Sequence, residues 1–241
     1  MKQEQEKRVD IAPAVNGNGH RKLEAVVFDF DGTLAELRLD FSEMKRLLGI
    51  LAHEYLGDPP VPPSVPALEW LETLEDGIRQ TNAAAADEFR ERAAQLIRDL
   101  EVEAARQGRL FPFTRTLLEE LGRRAIKVAI ITRNCEKAVR LVFPDMDRYC
   151  AALLARDHVP RVKPDPDHLL RALERIGSPP ETAIIVGDHP LDIRTGKDAG
   201  VLTAGVSSGN VSRENLEKSG ADWTAENCEE LFRSLEKEGL L

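Results

Sequence analysis

The chain has 241 residues and a formal net charge of −9, with 42% hydrophobic and 31% charged residues. This size suffices for one large domain or for a domain with an inserted subdomain. The acidic balance excludes a general binder of nucleic acids or anionic membranes, because both repel a negative surface. No apolar stretch is long enough to span a bilayer, and three well-separated cysteines, an odd number, indicate a reducing compartment such as the cytoplasm.

The first predicted element is a buried strand that ends in two carboxylates. Residues 1–22 are polar and rich in charged residues, Gly and Asn, which is typical of a flexible tail. The apolar run at residues 23–28 predicts a buried parallel strand. It ends in the sequence DFDGT, so that Asp29 and Asp31 stand in one turn. Clustered carboxylates repel one another unless a cation lies among them, and a hard divalent cation takes oxygen ligands.

Residues 35–108 show a helical pattern and no convincing strand. Apolar side chains recur at helical spacing in three stripes, which are centred near Leu48, Leu74 and Ile97. The proline-rich sequence DPPVPPSVP separates the first two stripes, because proline cannot continue a helix. We therefore predict a helical insertion with its own small core.

After residue 108, apolar strands alternate with helices. Strands are predicted at 126–132, 149–154, 182–188 and 201–206, and helices at 116–123, 166–176 and about 191–199. Such alternation is typical of an α/β fold in which helices cover both faces of a parallel sheet. We predict a catalytic core formed by residues 23–34 and 109–241, with residues 35–108 inserted as a helical unit.

Three of the predicted strands end in polar side chains, at Asp29, Thr132 and Asp188. Ligand sites of open parallel sheets lie beyond the carboxyl ends of the strands, so these side chains are expected to share one crevice. Carboxylates and a phosphate oxygen suit Mg²⁺. The hydrogen-bond donors expected around a bound phosphate are Thr132, Arg133, Asn134 and Lys163. A site that is acidic for a metal and rich in donors for an anion indicates phosphoryl transfer.

Four motifs in order resemble those of the haloacid dehalogenase superfamily of phosphohydrolases. They are DFDGT at 29–33, ITRN at 131–134, KP at 163–164 and GDHPLD at 187–192. The wider stretches RVKPDPDHLLRALERIG and VGDHPLDIRTGKDAGV look like the phosphoglycolate-phosphatase-like branch. The resemblance covers nearly all of the chain from Leu23 onward. It implies a Rossmann-like core and an inserted α-helical cap domain that closes over the phosphate and selects the leaving group.

The resemblance also implies roles for individual residues. Asp29 is the expected nucleophile and forms an aspartyl-phosphate, while Asp31 is the expected general acid and then the base. The same residues are expected to bind Mg²⁺, through the carboxylate of Asp29 and the backbone carbonyl of Asp31, together with Asp188. Asp192 is expected near the metal, in support of its ligands.

The expected phosphate-binding residues are Gly32, Thr132, Arg133, Asn134 and Lys163. Gly32 lets the chain turn beside the phosphate. The spacing of the two aspartates agrees with divided roles, because residues i and i+2 of an extended chain point the same way. Asp29 and Asp31 can therefore face one substrate.

The preferred interpretation is a Mg²⁺-dependent phosphatase of a small phosphomonoester, with a phosphoglycolate-like candidate substrate. Two alternatives stay open: a sugar phosphomutase of the same superfamily, and a non-catalytic module that senses phosphate or binds a partner. A phosphonatase is less favoured, because nothing marks Lys45, the only lysine of the insertion, as a Schiff-base lysine. The expected partner is a small phosphate ester rather than a nucleic acid or a membrane, and the oligomeric state stays open.

Overall fold

Residues 22–241 are described in the computed structural model of the chain, so the predicted tail lies outside the described residues except for its last position. The strands are β1 (Ala25–Phe28), β2 (Ala35–Glu36), β3 (Arg109–Leu110), β4 (Lys127–Ile131), β5 (Ala152–Leu154), β6 (Ala183–Gly187), β7 (Leu202–Val206) and β8 (Trp223–Ala225). The α-helices are α1 (Phe41–Leu56), α2 (Ala67–Arg79), α3 (Ala83–Gln107), α4 (Thr114–Arg123), α5 (Glu136–Val142), α6 (Pro166–Ile176), α7 (Pro190–Asp198), α8 (Arg213–Lys218) and α9 (Cys228–Lys237).

Six parallel strands form the main sheet, in the order β5-β4-β1-β6-β7-β8. β1 is central, and its last residue, Phe28, pairs with Ile130 of β4 and Val186 of β6. Alternate residues of β1 pack on opposite faces, with Phe28 in one hydrophobic cluster and Val27 in the other. The predicted α/β fold with helices on both faces is confirmed. The register brings the carboxyl ends of β1, β4 and β6 to the same height at one edge.

Helices α1, α2 and α3, called here the cap helices, pack around a third and separate hydrophobic cluster that includes Trp70 and Phe89. The two chain connections to these helices run side by side, because β2 and β3 pair antiparallel. Asp40 begins α1, since its side chain accepts hydrogen bonds from the backbone N–H groups of Ser42 and Glu43. The proline-rich segment lies between α1 and α2, as expected.

The third cap helix extends into the core. α3 has 25 residues; Phe89 and Ile97 belong to the cluster of the cap helices, whereas Ala105 belongs to the main core cluster. The last turns of α3 therefore pack against the sheet side of the molecule, and the division at residue 108 stays a prediction.

Phe41 is 52% exposed although its spacing places it on the apolar stripe of α1. Within residues 22–241 no helix combines the length and the apolar character that a bilayer span requires.

Candidate active site

The end of β1 presents the first two carboxylates. The backbone N–H of Asp29 donates to the carbonyl of Val186 at 2.8 Å, which extends the pairing with β6 by one residue and fixes the position of Asp29. The side chain of Asp31 accepts a hydrogen bond from the backbone N–H of Leu37 at 2.9 Å. Both aspartates are therefore held by backbone contacts at the carboxyl edge of the sheet.

Lys163 lies between two of the aspartates. Its Nζ donates to Oδ1 of Asp29 at 2.5 Å and to Oδ1 of Asp192 at 2.6 Å, and the residue is only 2% exposed. Its backbone N–H donates to Nδ1 of His168, whose Nε2 contacts the carbonyl of Leu154 at 2.9 Å. Burial lowers the pKa of His168 to about 4, so that this imidazole is neutral. The buried imidazole thus fixes the loop that carries Lys163.

The end of β4 forms a short turn around Thr132. Its Oγ1 accepts a hydrogen bond from the backbone N–H of Asn134 at 3.1 Å, and both residues are buried. Such hydroxyl-to-backbone bonds stabilise tight turns. The turn holds the Thr132 hydroxyl at the carboxyl edge of the sheet, next to β1.

The end of β6 presents Asp188 between two glycines. A Cβ atom at Gly32 would lie 2.4 Å from Oδ2 of Asp188, and one at Gly209 would lie 1.8 Å from the same oxygen. Gly32 also has a φ of +81°, a conformation that favours glycine. Asp192, in the first turn of α7, accepts a hydrogen bond from the backbone N–H of His189 at 3.1 Å. Close backbone packing thus leaves Asp188 room only because both neighbours lack a side chain.

The acidic cluster fits a hard divalent cation. Carboxylate oxygens of Asp29, Asp188 and Asp192 lie within 4.8 Å of one another. Both oxygens of Asp192 already accept hydrogen bonds, from Lys163 and His189. By contrast, no hydrogen bond from within residues 22–241 reaches the carboxylate of Asp188. An oxygen-only donor set with a carboxylate that lacks a hydrogen-bond donor suits Mg²⁺, with Asp192 placed to orient Lys163.

Burial and mutual repulsion raise the pKa values of the three strand-end carboxyls. Burial raises the pKa of Asp29 to about 6 against the opposing effect of Lys163. Burial, with the charge of Asp29 as a smaller contribution, raises that of Asp31 to about 7. The pKa of Asp188 rises to about 9 through burial and then through the charges of Asp29 and Asp192. Without a cation, the fully ionised cluster is therefore unfavourable at neutral pH.

All nine predicted site residues line one cavity of about 410 Å³. The structure thus brings them together, although their individual roles stay predictions. The opposite wall of the cavity comes largely from the cap helices and their connections, and it is mostly apolar: Leu39, Phe41, Met44, Pro66, Ala67 and Leu68. Polar side chains of this wall are Lys45, Ser64 and Glu101. His189 also lines the cavity, although it is exposed to solvent.

Two glutamates that no sequence motif marks contact the turn around Thr132. Glu69 of α2 pairs with the Arg133 guanidinium, and Glu101 of α3 pairs with Arg156 and accepts the backbone N–H of Cys135 at 3.0 Å. Both lie within ordinary helical patterns, where a glutamate most often faces solvent. Burial, with the nearby Glu101, raises the pKa of the Cys135 thiol to about 11, which keeps it protonated and unreactive.

Comparison with known proteins agrees with the four motifs. Residues 26–206 match the family model described as haloacid dehalogenase-like hydrolase. The N-acetylmuramic acid 6-phosphate phosphatase of Pseudomonas aeruginosa is 30% identical over 228 residues, which cover 90% of this chain and 96% of that protein. A pyrophosphatase of Bacillus cereus is 27% identical over 215 residues, which cover 88% of this chain and 95% of that protein.

Among solved structures, a hydrolase from Pseudomonas syringae superposes with a TM-score of 0.62. The match covers 89% of this chain and 98% of that chain at 22% sequence identity. At this identity the likeness concerns the fold, which supports the α/β architecture described above.

Proposed function

The chain belongs to the haloacid dehalogenase-like hydrolases, and on that basis we propose that it is a Mg²⁺-dependent phosphatase that hydrolyses a small phosphomonoester through an aspartyl-phosphate. The observation that carries this proposal is the shared cavity, in which Asp29 is hydrogen-bonded by Lys163 and faces the same space as Asp31, Thr132 and Asp188. The nucleophile, the general acid and the hydrogen-bond donors to the phosphate must lie around one space for phosphoryl transfer.

In the first step, a carboxylate oxygen of Asp29 attacks the phosphorus, and the bond from phosphorus to the leaving oxygen breaks. Asp31 gives its proton to that oxygen, and its pKa of about 7 keeps a large share of the carboxyl protonated at neutral pH. In the second step, a water attacks the phosphorus of the aspartyl-phosphate and gives a proton to Asp31. Inorganic phosphate leaves and the Asp29 carboxylate is restored.

The remaining polar groups stabilise the phosphate. Thr132, Asn134 and the Lys163 ammonium donate to its oxygens, and Lys163 also keeps Asp29 ionised by direct contact. Gly32 permits close approach of the backbone. Mg²⁺, held by Asp29, the carbonyl of Asp31 and Asp188, would supply positive charge against the phosphate oxygens.

A phosphatase is favoured over a sugar phosphomutase or a non-catalytic module. The two sequence relatives compared above carry phosphatase names and match nearly the whole of this chain. The residues proposed as acid, nucleophile and phosphate ligands all line the cavity, which a module without turnover would not require. Phosphoglycolate is one candidate substrate, and the cavity of about 410 Å³ leaves room for a larger leaving group.

The proposal is tested by release of inorganic phosphate from a panel of phosphate esters. The panel includes the esters phosphoglycolate, N-acetylmuramic acid 6-phosphate and simple sugar phosphates, together with the anhydride pyrophosphate, each assayed with Mg²⁺ and with EDTA. We expect Mg²⁺-dependent release from at least one monoester. Isomerised sugar phosphate without net phosphate release would support the mutase instead, and no turnover of any ester would contradict an enzymatic role.

If the acidic cluster binds Mg²⁺, the ion should raise the melting temperature by an amount that depends on pH. The raised pKa values mean that the folded protein binds more protons than the unfolded chain between about pH 4 and pH 9, so the metal-free protein loses stability as the pH rises through this range. Mg²⁺ relieves the repulsion between ionised carboxylates. At saturating Mg²⁺ we expect the melting temperature to rise by about 5 °C at pH 8, and by clearly less at pH 5.5.

Differential scanning fluorimetry with Mg²⁺ or EDTA measures this shift. Asp188→Asn should remove most of it, whereas Asp99→Asn, a change of an exposed aspartate on α3, should leave it intact. An equal shift in wild type and Asp188→Asn would place the bound metal elsewhere.

A further inference from the structure

An ion pair ties the turn that carries Thr132 to helix α2. The Arg133 guanidinium donates from Nη1 to Oε1 of Glu69 and from Nη2 to Oε2, each at 2.7 Å. Glu69 lies in the first turn of α2, and Arg133 directly follows Thr132. The contact is therefore bidentate and joins the far wall of the cavity to the phosphate-binding turn.

The same guanidinium also contacts the second phosphate-binding loop. Nη1 of Arg133 donates to the backbone carbonyl of Lys163 at 2.9 Å. Lys163 in turn donates from Nζ to Asp29. One side chain thus links α2, the Thr132 turn and the loop that places the lysine against the expected nucleophile.

The pair is shielded enough to matter energetically. The side chains of Arg133 and Glu69 are 20% and 35% exposed, whereas most ion pairs among residues 22–241 lie between more exposed groups. A planar guanidinium that meets a carboxylate with two hydrogen bonds fixes orientation as well as distance. Partial burial also limits screening by salt. This contact is therefore better suited to positioning than an exposed pair, which typically contributes little.

We propose that the Glu69–Arg133 pair couples the position of helix α2 over the cavity to the geometry of the phosphate-binding turn, so that Glu69 is a positioning residue for phosphoryl transfer. The inference rests on the phosphatase function proposed above. It assigns Arg133 an indirect role: the guanidinium holds Thr132 and the Lys163 backbone in place and does not itself bind the phosphate. Three of its five N–H donors are already committed, two on Nη1 to Glu69 and Lys163 and one on Nη2 to Glu69.

A double-mutant cycle tests the coupling. We expect Glu69→Ala and Arg133→Ala each to lower kcat/KM by about tenfold to a hundredfold, because displacement of reacting groups by about 1 Å can cost as much as 10²-fold. The loss should fall mainly on kcat. Since both changes remove the same contact, the double variant should be no slower than the slower single variant.

Another bidentate pair, which joins two cap helices to each other, provides the control. Arg92 of α3 donates to Glu54 of α1 at 2.7 Å and 3.2 Å, and neither residue lines the cavity. Glu54→Ala and Arg92→Ala should leave kcat/KM within about twofold of wild type, in line with the small contribution of exposed pairs.

Should Glu69→Ala fail to fold, Glu69→Gln removes the charge while it keeps the shape.

The outcomes separate the competing explanations. Additive losses in the cycle, or a loss confined to Arg133→Ala, would make Arg133 a direct phosphate ligand and overturn the coupling. Calorimetric binding of orthovanadate in the presence of Mg²⁺ repeats the cycle without turnover, and we expect the same non-additive weakening. If wild type binds vanadate but hydrolyses no ester, the phosphatase proposal fails while the coupling is still judged by binding. Neither binding nor turnover in wild type would overturn both.

Discussion

Asp29→Asn is expected to reduce phosphate release by at least about 10⁴-fold, since loss of a covalent nucleophile leaves only the contribution of binding and of the surrounding electrostatics. The amide is nearly the same size as the carboxylate but is not an effective nucleophile toward phosphorus. It also deprives Lys163 of one of its two carboxylate partners, which lie at 2.5 and 2.6 Å. Steady-state phosphate release with Mg²⁺ measures the effect.

This loss should occur without loss of folding. Burial raises the pKa of Asp29 to about 6, and the amide oxygen of asparagine can still accept the hydrogen bond from Lys163, so removal of the charge should cost little stability. The melting temperature of Asp29→Asn should therefore equal or exceed that of wild type without metal. Asp99→Asn should retain full turnover. Metal-dependent turnover that persists in Asp29→Asn would rule out this residue as the nucleophile.

The elements best predicted from sequence are those with strong local signals. Helix α6 begins and ends where the pattern predicts, at Pro166 and Ile176. Asp165 caps its first turn, proline occupies the first helical position, and Gly177 ends it with a φ of 60°. The strand ends that carry Asp29, Thr132 and Asp188 are equally predictable from the sequence, because buried parallel strands form short apolar runs.

The elements missed lack such signals. Strand β8 lies at the edge of the sheet and has three residues, of which two are only partly buried. The sequence therefore contains no apolar run that would predict this strand. Phe41 fits the apolar stripe of α1 but lines the cavity. Helical periodicity identifies the apolar face of a helix, but it does not predict whether that face packs on the core or borders a cavity. Glu69 and Arg133 are 64 positions apart, and only the packing of α2 over the sheet edge brings them together.

Asp31→Asn is expected to distinguish the proposed general acid from the proposed nucleophile, because its effect should depend on the leaving group. For an alkyl phosphate, loss of the general acid should lower kcat by about 10² to 10⁴-fold. For p-nitrophenyl phosphate, whose leaving group departs without protonation, the first step should be nearly unaffected. Removal of the base slows hydrolysis of the aspartyl-phosphate, so this substrate should give a burst of about one nitrophenolate per enzyme followed by slow turnover.

The pH dependence supplies an independent check on Asp31. Burial raises its pKa to about 7, and the acid role requires the protonated form, so kcat/KM of wild type for an alkyl ester should fall as the pH rises through about 7. Asp31→Asn should lack this descending limb, while Asp99→Asn should keep it. Equal losses for alkyl and aryl esters, with no burst and an unchanged pH profile, would show that Asp31 supports the fold of the turn and does not transfer the proton. Loss of the descending limb in Asp31→Asn, with a burst for the aryl ester, would instead support proton transfer by the carboxyl two residues after the proposed nucleophile.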